Sequence, residues 1–257
     1  MPDLDINGGS LRYCHEGAGE AVVFVSGLGG SASFWSTQVA TFRERFHVVT
    51  FDHRGIGGSS GKPPYTVAQW CDDLLRLVDG LAIDRCHLVG HSTGGIIAQN
   101  FAAENPDRVR TLSLGGSWLS PDRRFRELFA LRKDVLVRMG DAAYRTLGDM
   151  LAASFPRDEA VTAAPTTQPP HEVVLARIDA LLAYRGEADA ERIRVPTLVV
   201  AAADDHIVPS YLSRALADAI TGSRLLLLVG GGHFFPRTRS ATYNKALSDF
   251  WAEASEQ

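Results

Sequence analysis

Cysteine is scarce in this sequence, and the three copies follow no disulfide or metal-binding spacing. Cys14, Cys71 and Cys86 each fall within a segment predicted to be a strand or a helix. An odd number of scattered cysteines predicts buried thiols in a reducing compartment. Without a ligand-spacing motif, we expect neither a metal site nor another cofactor.

The sequence also lacks a long apolar run. No stretch approaches the ~20 residues that a membrane-spanning helix needs, and the first residues have neither the basic nor the apolar region of a signal peptide. The net charge of -4 argues against a general binder of nucleic acid or of membrane surfaces. We therefore expect a cytoplasmic protein with no nucleic-acid or membrane partner.

Short apolar strands alternate with amphipathic helices along most of the chain. With 257 residues and 45% apolar content, the chain can bury one large core. The candidate strands are 11–14, 21–25, 47–51, 86–89, 109–114, 197–202 and 224–229. This alternation predicts a parallel, doubly wound α/β sheet. In such sheets the ligand site lies beyond the carboxyl ends of the strands.

Residues 118–195 depart from this alternation because they contain helical patterns but no convincing core strand. We predict that they form a small helical cap, inserted between two parts of the core at 1–117 and 196–257. The expected lining of a substrate pocket is aromatic: Trp118, Phe125 and Phe129. The first cap helix is rich in arginines that either bind a substrate carboxylate or form a solvated face. These arginines are Arg123, Arg124, Arg126 and Arg132. An irregular connector is predicted at 163–171.

The most informative stretch is Gly90-His91-Ser92-Thr93-Gly94, which follows an apolar strand and opens an apolar helix. G-x-S-x-G in this context predicts a sharp turn that presents a nucleophile, Ser92, at its apex. Ser92 also precedes a helix, where free N–H groups and the helix dipole stabilise negative charge. The alternative is a simple N-cap serine among packing glycines.

A serine nucleophile needs a base, and the base needs an orienting group. Of the eight histidines, His233 is best placed, since it follows a strand and three glycines. Asp204 and Asp205 follow another strand. Only one of them can face His233, because successive residues leaving a strand point in different directions.

A phosphate-binding loop is the competing interpretation of residues 55–60, which nearly match G-x-G-x-x-G. The sixth position is Ser60, however, and the next helix begins near its predicted N-cap, Thr66. That is too late for the helix N-terminus to hold a pyrophosphate, so we reject nucleotide binding. In the same helix, Asp72 and Asp73 are predicted to face outward.

These motifs, in this order, resemble those of the α/β-hydrolase family. They are S-G-L-G-G at 26–30, D-H-R-G-I-G-G-S at 52–59, G-H-S-T-G-G at 90–95, D-D-H-I-V-P at 204–209 and G-G-G-H at 230–233. The resemblance implies a mostly parallel sheet with a cap, His233 as the base of Ser92, and Asp205 as the partner of His233. It also implies an oxyanion hole from the backbone N–H groups of Leu28 and Thr93.

Two details refine the resemblance. Ser26 stands where the family usually has a histidine, a change that affects support of the loop more than the backbone donors. Within the family, the chain is most similar to the aminoacrylate (carbamate) hydrolases of pyrimidine degradation. That similarity rests on V-S-G-L-G-G-S-A-S-F-W at 25–35, on Trp118-Leu119 after a strand, and on the start of the cap. Small lactonases and the cofactor-free haloperoxidase/esterase group are the alternatives.

The sequence therefore predicts a serine hydrolase acting on a small ester, lactone, carbamate or related acyl substrate. A receptor that uses the hydrolase fold to sense a small molecule is the second function class, and the intact Ser-Asp-His set favours the enzyme. Ser92 argues against dehalogenases and epoxide hydrolases, which need a carboxylate at that apex. For the oligomeric state, a homodimer is compatible with the sequence.

Overall fold

The computed structural model describes residues 1–63, 65–152 and 169–255. The strands in these ranges are β1 (Asp3–Ile6), β2 (Gly9–Glu16), β3 (Ala21–Val25), β4 (His47–Phe51), β5 (Cys86–His91), β6 (Val109–Gly115), β7 (Thr197–Ala202) and β8 (Arg224–Leu228). They form one sheet in the order β1-β2-β4-β3-β5-β6-β7-β8. From β4 to β8 in this order all neighbours are parallel, whereas β1–β2 and β2–β4 are antiparallel. The predicted, mostly parallel sheet is confirmed.

The α-helices in the described ranges are α1 (Ser36–Phe42), α2 (Val67–Gly80), α3 (Thr93–Glu104), α4 (Arg123–Ala152), α5 (His171–Ala183), α6 (Glu187–Arg192), α7 (Ser210–Ala219), α8 (Phe235–Thr238) and α9 (Ser240–Ser255). The long α4 contains a break at Gly140, whose φ of 79° is not helical. Across the parts of the chain that the structure describes, no helix is long and apolar enough to span a membrane.

The sheet is covered on both faces, which explains why its central strands are continuously apolar. Val23 on β3 belongs to an apolar cluster that includes Phe101 of α3, whereas its neighbour Phe24 joins a second cluster with Trp251 of α9. Successive side chains of a strand point to opposite faces, so a strand buried on both sides has no polar alternation. The parallel strands end at one edge, and the predicted site residues follow those ends.

The described part of 118–195 contains α4, α5 and α6 and no strand, in line with a helical insertion. A third apolar cluster joins α4 and α5 to the core through residues such as Ile96. The short α6 instead packs on α3, where Asn100 Nδ2 donates to Asp189 Oδ2 at 3.1 Å. The boundaries of the cap remain a prediction. Of the predicted connector, 163–168 lies outside the described residues.

One strand was missed by the sequence analysis. β1 pairs with β2 through a tight hairpin whose turn residue Gly8 has φ of 78°, a left-handed conformation that suits glycine. Asn7-Gly8 is a strong hairpin signal, but four residues with two aspartates made a weak strand pattern.

The predicted outward orientation of Asp73 on α2 is wrong. Thr66 does cap this helix, since its Oγ1 accepts from the Gln69 N–H at 3.2 Å. Asp73, however, is 2% exposed and accepts from Arg54 Nε at 2.9 Å. The pattern of α2 alone could not reveal this, because the buried guanidinium that requires the carboxylate comes from the turn after β4.

The three cysteines are free thiols, and two of them are buried as predicted. Cys14 is only partly buried, which corrects the expectation for that residue. It lies on β2, the second strand from the edge of the sheet, and its Sγ donates to Oε1 of the partly exposed Glu16 at 3.7 Å.

Candidate active site

Ser92 occupies a strained turn between β5 and α3. Its φ of 56° and ψ of -122° are unusual for a residue with a side chain. Two backbone hydrogen bonds hold it there: the Ser92 N–H donates to Gly115 O, and the Gly95 N–H donates to Ser92 O, each at 2.8 Å. The strand–turn–helix context predicted from the sequence is therefore present, with a serine at its apex.

The glycines that flank Ser92 are required by close backbone approach. A Cβ at Gly90 would lie 2.3 Å from Gly94 O, and one at Gly94 would lie 2.1 Å from Val25 O. Both distances are far below any real contact, and the opposing atoms are backbone atoms that cannot swing aside. The two outer glycines of G-x-S-x-G thus allow α3 to start directly against β3 and β5.

His233 and Asp205 form a buried, directly bonded pair. His233 Nδ1 lies 2.7 Å from Asp205 Oδ2, and the two side chains are 4% and 0% exposed. The other carboxylate oxygen, Asp205 Oδ1, accepts the N–H groups of Ile207 and Val208 at 2.9 and 2.8 Å. Hydrogen-bond chemistry assigns a proton to Nδ1, because a carboxylate accepts.

Asp204 makes a different set of contacts from its neighbour. Its two oxygens accept the N–H groups of Gly231 and Gly232 at 3.2 and 2.8 Å. These bonds tie the end of β7 to the glycine loop that carries His233. Of the two aspartates left open by the sequence, Asp205 therefore contacts the imidazole and Asp204 shapes its loop.

The turn at Gly115-Gly116 brings the three predicted residues into one neighbourhood. Gly115 O accepts the Ser92 N–H. A Cβ at Gly116 would lie 3.4 Å from His233 Cε1 and 3.5 Å from Asp205 Oδ2. The serine, the histidine and the aspartate thus surround the carboxyl end of β6, which is where a doubly wound sheet places its ligand site. Their catalytic roles remain predictions.

His91, directly before Ser92, packs beside this group without adding charge to it. Its ring stacks on Phe34 with centroids 5.1 Å apart and lies 4.8 Å from the His233 ring. Burial, followed by the influence of His233, holds the pKa of His91 well below its usual range. Because His91 is neutral, it places no positive charge beside His233, the imidazole that is paired with a carboxylate.

The loop after β3 lies against Ser92, on the side where an oxyanion hole is predicted. A Cβ at Gly27 would lie 3.1 Å from Ser92 Cβ. Arg177 of α5 donates from Nε to Leu28 O at 3.0 Å and from Nη2 to Gly27 O at 3.3 Å. The same Nη2 lies 3.0 Å from His53 Nδ1. Sequence analysis did not single out Arg177.

Arg177 is fully buried, and this changes its acid–base behaviour. Its guanidinium lies 4.6 Å from the centre of the Trp70 ring. Burial lowers the pKa of Arg177 to about 9, so the side chain remains protonated at neutral pH. The sequence did contain a signal: an arginine at helical spacing on the apolar face of α5. The apolar members of that face are Val173, Val174, Ile178 and Leu181.

The aromatic residues predicted to line a pocket form a closed cluster. Trp118 and Phe125 have ring centroids 4.6 Å apart, and Phe125 and Phe129 have centroids 4.5 Å apart. All three side chains are buried, in the apolar cluster that joins α4 and α5 to residues such as Ile96 of α3. Contact with a substrate remains a prediction for each of them.

The four arginines singled out at the start of the cap make three kinds of contact in α4. Arg123 is 91% exposed and pairs with Glu127, which fits the solvated-face interpretation. Arg124 and Arg126 donate to backbone carbonyls. Arg132 is buried between the rings of Phe129 and Tyr144, about 5.0 Å from each centroid. A single description of these residues as surface charge or as substrate ligands is therefore too simple.

A family comparison decides what kind of protein carries this site. Residues 20–236 match the family described as alpha/beta hydrolase fold. The chain belongs to the α/β-hydrolase family. The predicted fold and the predicted hydrolase class are thereby confirmed.

Relatives of this α/β hydrolase carry names that agree with the predicted subfamily. The chain is 37% identical over 241 residues to "Putative carbamate hydrolase RutD" of Caulobacter vibrioides, covering 90% of each chain. It is 33% identical to the protein of the same name from Azorhizobium caulinodans, covering 100% of both. Among solved structures, it is similar to the enol-lactonase from Burkholderia xenovorans LB400. That match has a TM-score of 0.87 and 26% identity, and it covers 98% of this chain and 100% of the other.

Proposed function

We propose that this α/β hydrolase cleaves a small ester, lactone, carbamate or related acyl substrate through a covalent intermediate on Ser92. The observation that carries the proposal is the buried Asp205–His233 bond beside the strained serine turn. A carboxylate that fixes one ring nitrogen leaves the other free to accept a proton from a nucleophile. A receptor would not need this bond.

In the first half of the reaction, Ser92 Oγ attacks the carbonyl carbon while its proton moves to His233 Nε2. Asp205 holds the imidazole and stabilises the imidazolium that forms. The carbonyl oxygen becomes an oxyanion and accepts the N–H groups of Leu28 and Thr93. Thr93 opens α3, so the helix dipole contributes to the same stabilisation. Collapse of the intermediate expels the leaving group, which takes the proton from His233.

In the second half, a water molecule replaces the leaving group. The water attacks the acyl carbon of the ester on Ser92, and His233 Nε2 takes a proton from the water at the same time. The tetrahedral intermediate again places its oxyanion on the two N–H groups. Its collapse returns the proton from His233 to Ser92 Oγ and releases the acid, which restores the free enzyme.

The enclosed surroundings of the site favour a compact substrate. Ser92 is 6% exposed and His233 is 3% exposed, although both must contact substrate. The apolar cluster that contains Phe125 and Phe129 has Leu28 and Phe234, the residue after His233, packed against it. The relatives whose names mention a carbamate or an enol-lactone support the same size class.

The proposal is tested by measuring kcat/KM for a short neutral ester, a short lactone, an aryl carbamate and a long-chain ester. We expect measurable hydrolysis of the compact substrates and a lower kcat/KM for the long-chain ester. The Ser92→Ala variant should hydrolyse none of these substrates. Ser113→Ala is the matched control, since it removes the hydroxyl of another buried serine, one with no hydrogen-bond partner among the described residues. Hydrolysis that survives in Ser92→Ala, or a preference for the long chain, contradicts the proposal.

A further inference from the structure

Arg177 is the one charged group on the cap helices that reaches the predicted oxyanion loop within the described residues. It lies about 150 positions after the loop and donates to two consecutive carbonyls, those of Gly27 and Leu28. The turn after β4 holds the other end of the loop: the His53 N–H donates to Gly30 O at 2.7 Å. The predicted oxyanion loop is therefore anchored from the core on one side and from the cap on the other.

We propose that Arg177 is a positioning residue for the reaction: it fixes the peptide between Gly27 and Leu28, whose N–H is the proposed oxyanion donor. This inference rests on the function proposed above. Arg177 does not touch the reacting atoms in this account. It acts through the loop, and the α5 helix of the cap thereby becomes part of the catalytic apparatus.

The geometry of a peptide unit links the arginine to the donor. A trans peptide is planar, so its C=O and N–H point in opposite directions. Gly27 O accepts both the Gly30 N–H at 2.9 Å and Arg177 Nη2 at 3.3 Å. With the carbonyl held on one side, the Leu28 N–H is held pointing to the other. Donors on the carbonyl also polarise the unit, which strengthens its N–H as a donor.

The charge of Arg177 adds to this effect. Within the described residues its hydrogen-bond partners are carbonyl oxygens and the neutral imidazole of His53, and none is a carboxylate. Its Nη1 is buried without a hydrogen-bond partner in the same part of the chain. A buried cation without an anion is destabilising in the resting protein. The electrostatic contribution of the Arg177 cation becomes favourable in the transition state, when negative charge develops on the oxyanion.

The residue at the start of the loop explains why another anchor is needed. The Ser26 Oγ is buried and makes no hydrogen bond within the described residues, so this side chain does not brace the loop. Arginine suits this role better than lysine, because its planar fork donates from Nε and Nη2 to two acceptors at once.

The test compares Arg177→Lys and Arg177→Met with matched changes at Arg185, a cap arginine that also donates to two carbonyls, those of Leu182 and Tyr184. Removal of one oxyanion donor lowers kcat by about 10²–10³-fold. We expect a fall of roughly that size in Arg177→Met, a smaller one in Arg177→Lys, and KM within about threefold of the native value. The Arg185 variants should match the native enzyme.

Two further measurements separate positioning from a structural role. Titration of active sites with a fluorophosphonate counts the folded, competent molecules, and kcat is divided by that count. Affinity for an alkyl boronic acid, which forms a tetrahedral adduct on serine, should fall in parallel with kcat/KM. If the titration accounts for the entire loss, or if only anionic substrates are affected, the proposal is overturned.

The outcome is distinguishable from failure of the proposed function. If the native enzyme shows no hydrolysis that depends on Ser92, the proposed function fails. If that hydrolysis is present and both Arg177 variants keep kcat within about twofold, the positioning role alone is refuted.

Discussion

Replacing Asp205 with asparagine should greatly lower kcat while the protein keeps its fold. The two carboxylate oxygens have different partners, since Oδ1 accepts the N–H groups of Ile207 and Val208 and Oδ2 accepts from His233 Nδ1. An asparagine that keeps its oxygen on the two backbone donors must turn its NH₂ group toward Nδ1. The imidazole must then carry its proton on Nε2, the nitrogen that should accept the proton of Ser92.

The magnitude follows from this wrong tautomer. In serine hydrolases with this arrangement the loss is about 10⁴-fold in kcat, or about 5.4 kcal/mol of transition-state stabilisation at about 1.36 kcal/mol per decade. The assay is kcat on a short ester, combined with circular dichroism and thermal unfolding. Because the side chain keeps its size, we expect an ordered protein with native secondary structure.

Asp204→Asn is the matched control. Asp204 accepts the N–H groups of Gly231 and Gly232, whereas Asp205 is the aspartate bonded to the imidazole, so substitution of Asp204 should cost less than about tenfold through loosening of the histidine loop. If Asp204→Asn is the crippled variant and Asp205→Asn retains kcat within about tenfold, the reasoning from the Asp205–His233 bond is refuted.

Two further predictions concern stability. Burial holds the pKa of His53 and His91 well below the unfolded value of about 6.5, so below that pH the unfolded chain binds protons that the folded chain does not. The free energy of unfolding should therefore fall as pH drops below about 6.5, by about 1.4 kcal/mol per unit for each histidine, and His91→Asn should flatten the slope measured by urea unfolding. Asp73→Asn should lower the free energy of unfolding by about 3 kcal/mol, because it leaves the Arg54 guanidinium buried without its anion, whereas the same change at exposed Asp3 should have no measurable effect. An unchanged slope in the first case, or equal effects at the two aspartates in the second, contradicts these assignments.

The sequence was most informative where one local pattern is sufficient to produce the structure. The alternation of apolar strands and helices predicted the parallel sheet, since each strand buried on two faces must be apolar throughout. The turn around Ser92 was predicted because part of its glycine pattern is required by contacts within one strand–turn–helix unit. Gly90, for example, faces Gly94 O only four residues away.

Features that depend on contacts between distant segments could not be predicted in the same way. Arg177 meets the Gly27 carbonyl across 150 positions, and its burial on α5 becomes intelligible only once that carbonyl is in place. Asp73 likewise faces inward because of Arg54, which belongs to another element. The choice between Asp204 and Asp205 depended on resemblance until the contact with His233 was seen.

The central claim is that Ser92 becomes covalently acylated, and intact-mass measurement after reaction with a fluorophosphonate tests it most directly. Fluorophosphonates react with a serine whose proton is taken by a neighbouring base, so only an activated hydroxyl is modified. We expect one adduct on the native protein and on Ser113→Ala, and none on Ser92→Ala. A single adduct that persists in Ser92→Ala, or a native protein that is never modified, would contradict the account.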